Sequence, residues 1–184
     1  MLFSLLFTAC QKEKQEVINI PFDKEHTPTM RATNVATLIS DSGIIRYGLK
    51  TKEWLVFDKA KEPFWKFPKG AYVEKFDTLH HIEASIEADT AYYWSKKEFW
   101  KLIGNVKVRS LKGERFDTEL LYWDQKKKTI YSDSFIKIEQ HDKIITGIGF
   151  KSNQDMTDYK IFESKGTFPI EEKEPIDSTQ EKRN

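Results

Sequence analysis

The sequence predicts an all-β protein, and three observations carry that prediction. Residues 86–108 and 116–138 read as two copies of one module, thirty residues apart. Apolar residues recur at every second position through most of 33–168, and no 3.6-residue apolar pattern of useful length interrupts them. Aromatic residues reach 14% of the chain, a composition that suits pleated sheets. Short strands between regular turn signals indicate a sandwich, a jelly roll or an open barrel.

In order along the chain, residues 11–31 are polar, hold two prolines and read as a flexible tether. Residues 33–39 alternate and precede the turn Ser40-Asp41-Ser42-Gly43. A strand over 44–50 and another over 54–57 flank the polar break Thr51-Lys52-Glu53. Pro63 and Pro68 bracket an aromatic loop, and strands follow over 71–77 and 81–88. The first module then sends Trp100, Leu102, Val106 and Val108 to one face, since side chains alternate along a strand. In the second module Phe116, Thr118, Leu120 and Tyr122 share a face, and Ser132-Asp133-Ser134 is expected to form a bulge or a break. A partial third copy starts at 144–150, and 159–168 closes the ordered region.

Superposed, Tyr92 meets Tyr122, Tyr93 meets Trp123, Trp100 meets Ile130, Val106 meets Ile136 and Val108 meets Ile138. A fixed period of this kind means one supersecondary unit stacked on itself. The expected organisation is a signal-like segment 1–10, the tether 11–31, one β domain over 32–170 and a disordered, highly charged tail 171–184.

The start, MLFSLLFTAC, ends in Thr8-Ala9-Cys10 and resembles a bacterial lipoprotein signal with lipidation at Cys10. Its apolar run is short and lacks a basic region, so the true start is expected upstream of Met1. Cys10 is the only cysteine, which excludes an internal disulfide.

Little in the sequence suits catalysis. The net charge is +1, which leaves no overall electrostatic footprint for nucleic acid. Adjacent His80 and His81 would point to opposite faces of a strand and cannot grip one ion, so no metal site is expected. The acidic pairs Glu87/Asp89 and Asp117/Glu119 occur in both modules, which favours a structural role over acid–base work. No catalytic residue and no cofactor is expected. The lysine turns Lys96-Lys97 and Lys126-Lys127-Lys128 read as solvated hairpin ends, with contact to anionic lipid headgroups or, less favoured, to nucleic acid as the alternatives.

Four stretches carry a resemblance. Ser42 to Leu49 holds a Gly-x-x-x-Tyr-x-Leu strand entry, and Glu87 to Ala91 an A-D-x-A step. Leu102 to Val108 reads L-x-G-N-V-x-V, and Phe116 to Leu120 with Tyr131-Ser132-Asp133 threads into the strand that follows. In this order and spacing they resemble the LptC family of lipopolysaccharide export. The resemblance implies a twisted, open β-jelly roll whose apolar interior holds lipid A acyl chains. It also implies a periplasmic protein anchored at the inner membrane. Its partners would be an LptA-like bridge protein and an LptBFG-like ABC transporter, met edge to edge. On this reading the groove lining is Trp100, Leu102, Val106, Val108, Phe116, Leu120, Tyr122, Ile136 and Ile138. The alternative is a lipid-anchored structural β module that binds a protein or glycan partner.

Overall fold

A computed structural model describes residues 23–110 and 113–167. The signal-like segment with Cys10, the start of the tether (11–22) and the tail 171–184 lie outside the described residues. Twelve strands form one antiparallel sheet with no helix among the described residues. They are β1 (Met30–Asp41), β2 (Ile44–Phe57), β3 (Phe64–Phe67), β4 (Ala71–Phe76), β5 (Ile82–Ala88) and β6 (Thr90–Trp94). There follow β7 (Phe99–Ser110), β8 (Arg115–Asp124), β9 (Thr129–Glu139), β10 (Ile144–Asn153), β11 (Tyr159–Ile161) and β12 (Lys165–Thr167).

The connectivity is a meander. Strands β3 and β4 lie along successive parts of β2 and so act as one bent ribbon. Strands β5 and β6 form the next ribbon, paired with β4 and β3 on one side and with β7 on the other. Strands β8 to β11 each pair with the strand before them, and β12 returns to pair with β10. The thirty-residue period is therefore one strand pair with its two turns, and its turns are built alike. Glu98 and Lys128 both sit at φ 51°, and the carbonyls of both accept from the turn of the next hairpin.

A crease crosses this meander and turns a sheet into a roll. Each ribbon beyond β2, from β3 and β4 to β10, is interrupted near its middle. The interruptions fall at Pro68–Gly70, Asp89, Gly104–Asn105, Glu119–Leu120, Asp133–Ser134 and Gly149, where the pairing slips by one residue. Gly104 at φ 78° and Asn105 at φ 45° supply the left-handed backbone that such a bulge needs. Bulges release backbone groups, and buried ones must find partners. Short polar side chains serve here. Thr51 Oγ1 donates to the Gly70 carbonyl at 2.7 Å, Thr118 Oγ1 to Phe135 at 2.7 Å and Ser132 Oγ to Leu120 at 2.6 Å. Asn105 Nδ2 donates to Asp89 at 2.7 Å.

The crease divides the sheet into two half-sheets that face each other. The first holds residues 44–51, β4, β5, 106–110, 115–118, 135–139 and 144–148. The second holds 54–57, β3, β6, 99–103, 121–124, 129–132 and 150–153. Contacts join them across the interior: Phe116 meets Phe150 and Tyr159, and Tyr47 meets Trp123. The core is continuous along this interface.

Three sequence expectations are corrected. Thr51-Lys52-Glu53 is no break, because β2 runs through it. Glu53 is buried there against Arg31 of β1 (2.6 Å) and Lys69 (3.1 Å). A hydrogen bond from Lys69, with the charge of Arg31, holds its carboxyl below the usual range. The bracketed aromatic loop is strand β3, since its rings pair into both faces of the sheet. His80 sits in a turn at φ 64°, not on a strand. The expected bulge at Ser132–Ser134 is present.

Candidate functional site

Between the half-sheets lies an apolar groove in two chambers. The first is a cavity of about 310 Å³. Val73, Ile86 and Val108 of the first half-sheet face Trp123, Ile130 and Met156 across it. The second, about 220 Å³, is walled by Trp54, Trp65, Tyr93, Trp100 and Trp123. Tyr47, Val73 and Trp123 border both. The Tyr47 and Trp123 rings meet edge to face at 6.0 Å and form the partition between them. Together the chambers are of the size that holds part of a large apolar ligand.

The second chamber is an aromatic box. Trp54 packs on Trp65 at 4.9 Å and Tyr93 on Trp100 at 4.5 Å. The indole N–H groups of Trp54 and Trp123 are enclosed without an acceptor among the described residues. Burial, with the charge of Glu98, raises the Tyr93 hydroxyl above the usual phenol range.

The first chamber has a polar mouth. Lys75 reaches Glu83 at 2.9 Å and Asp155 at 3.0 Å, and so ties the 154–158 turn across the opening. Burial alone would lower the Lys75 pKa, but its bonds to Glu83 and Asp155 raise it. The same turn sends Met156 into the core, where it is 4% exposed. Beyond this turn the interior is solid. Leu102, Val106, Phe116, Ile136 and Ile138 are each 2% exposed or less.

Of the nine lining residues expected from the sequence, Trp100 and Val108 line the groove. Leu102, Val106, Phe116, Ile136 and Ile138 face inward but fill the solid core. Leu120 and Tyr122 are corrected: they lie on the outer face. The crease shifts β8 by one residue after Thr118, so Leu121 is fully buried and Trp123 enters the groove. Tyr122 instead stacks on Phe99 and Tyr131 outside. The sequence did mark the right residue, since Tyr93 and Trp123 are equivalent in the repeat and both wall the second chamber. Tyr47, Trp54 and Trp65 carried no such mark, because they lie before the repeat.

The acidic pairs are engaged structurally. Glu87 pairs with Lys107 at 3.2 Å and Asp117 with Arg115 at 2.9 Å, while Asp89 and Glu119 accept bonds from Asn105. No group of metal-ligating residues occurs among the described residues. Among them, no helix is long and apolar enough to cross a membrane.

The sequence model of a family described as "Lipopolysaccharide-assembly, LptC-related" matches residues 1–165. Among curated proteins none matches the chain.

Proposed function

The chain belongs to the LptC family of lipopolysaccharide assembly, and from that premise we propose that it carries lipopolysaccharide toward the outer membrane by sheltering acyl chains in its groove. The two-chambered apolar cavity between the half-sheets carries this reading. Each methylene removed from water gains about 0.8 kcal/mol, so shelter needs no reactive group. The groove offers rings and aliphatic side chains, and its ion-paired mouth stands beside solvent.

Hand-over to a neighbour uses a sheet edge. Strand β1 is twelve residues long, pairs among the described residues with β2 alone and is exposed along most of its length. It carries no charged residue from Ala32 to Ser40, and Leu38 is 61% exposed. Proteins normally blunt such an edge with charge or proline. Left open, it suits strand addition by another jelly roll, such as an LptA-like bridge protein or a domain of the transporter. The setting we propose is the periplasm, with the chain tied to the inner membrane and Cys10 as the lipidated anchor.

A photo-crosslinker at Ile86, Val108 or Trp123 is expected to capture lipopolysaccharide in cells, and one at Lys107 is not. Capture at Lys107 alone would overturn the groove reading.

A further inference from the structure

The outer faces of the two half-sheets are built differently. On the first, the register aligns Lys50, Tyr72, Glu87, Lys107, Asp117 and Lys137 in one row. Opposite charges alternate along it, as a solvated sheet surface requires. On the second, the corresponding row reads Lys66, Tyr92, Lys101, Tyr122, Tyr131 and Lys151, and it contains no carboxylate. Lys66 lies over the Tyr92 ring at 5.5 Å and Lys101 over Tyr122 at 5.9 Å. Beside this row Phe64, Trp94 and Phe99 continue the rings toward the end of the roll. The row ends with Lys151 directly opposite Lys160 on β11. Like charges so placed repel. A depression of about 350 Å³ opens there, where Lys128, Lys151 and Lys160 outnumber one carboxylate, Asp158, and Phe162 completes the wall.

The turns at this end add to the charge. Turns 58–63, 95–98 and 125–128 hold seven lysines against three carboxylates. They are bonded into one rim: Lys97 pairs with Glu62 at 2.7 Å, and Lys126 Nζ donates to the Lys96 carbonyl at 2.8 Å. The second chamber of the groove reaches this rim at Gln125.

We propose that this outer face and its lysine rim rest on an anionic phospholipid surface. Lysine supplies the attraction to the headgroups, and tyrosine and tryptophan are the rings that settle at a membrane–water interface. Neighbouring strands lie about 4.8 Å apart, so six of them make a ribbon roughly 25 Å wide. That breadth matches an extended surface better than an enclosed small ligand. A phosphate between Lys151 and Lys160 relieves their repulsion. The contact brings the rim end of the groove to the lipid, and it is independent of any N-terminal anchor.

The test uses the full chain with vesicles of phosphatidylcholine and with vesicles of equimolar phosphatidylcholine and phosphatidylglycerol. Trp94 is the one tryptophan among the five that the pairing turns outward, the other four walling the groove. Brominated lipid in the anionic vesicles is expected to quench it, and the quenching is expected to vanish in Trp94→Phe. Lys66→Gln with Lys101→Gln is expected to weaken anionic binding about 25-fold, at about fivefold per lysine. Lys107→Gln with Lys137→Gln changes net charge equally and is expected to have little effect. Equal loss from both pairs, or quenching that survives Trp94→Phe, overturns the proposal. Crosslinking at Val108 reports on the groove separately, so failure here and failure of the transport reading are distinguishable.

Discussion

At the scale of single residues, one shifted position decides which side chains see the interior. Leu120 and Leu121 are neighbours of one type, yet Leu121 is fully enclosed and Leu120 lies outside. Alternation continued from Phe116 selects Leu120, because strict alternation assumes an unbroken strand. The bulge after Thr118 reverses the assignment. Leu121→Ala is expected to cost about 2–5 kcal/mol, the range for truncating a fully buried leucine. Leu120→Ala is expected to cost under about 1 kcal/mol. Urea unfolding of the two variants checks this, and equal midpoints would refute the crease. The signal for the shift was present in part. Gly104-Asn105 and Ser132-Asp133-Ser134 are turn-type residues inside strands, and the latter was readable as a bulge. The matching slip in β8 leaves no such mark, because Glu119-Leu120 is ordinary strand sequence.

At the scale of elements, the strands were largely readable and their joints were not. The turns around Gly43, Lys96 and Lys126 announce themselves by composition, and the period confirms them. Strand β3 did not, because two prolines beside four residues look like a loop until the partners on both sides are known. Strand β1 shows the reverse case. Its alternation was plain, but its lack of a second neighbour among the described residues is a property of the whole sheet. Glu53 holds its start to β2 through Arg31. Ala36→Lys places a cation on that exposed strand. It is expected to reduce co-purification with a neighbouring jelly-roll protein by severalfold while leaving the melting temperature within a few degrees. Unchanged co-purification would assign the contact elsewhere.

At the scale of the whole molecule, the crease gives one meander two insides and two outsides. The interior is solid where Phe116, Ile136, Ile138 and Phe150 meet, and hollow where Tyr47, Trp54, Trp65 and Trp123 meet. Large rigid rings cannot all interdigitate, so they leave space that aliphatic side chains would fill. Filling the first chamber tests its use. Val108→Phe adds bulk at a wall beside a cavity, so little strain is expected, within about 1.5 kcal/mol. Lipopolysaccharide retained through purification is expected to drop severalfold. Retention at the wild-type level would separate binding from the first chamber.

The sequence alone determined that the chain is all β, that a strand pair repeats every thirty residues and that the family is LptC. Those properties rest on alternation, turn chemistry and motif order, all of which are local. Tertiary structure decided where the meander folds over, which rings line the hollow and which form the lysine–aromatic face outside. A side chain's face depends on every bulge between it and the reference strand, and a bulge is set by pairing with neighbours far along the chain.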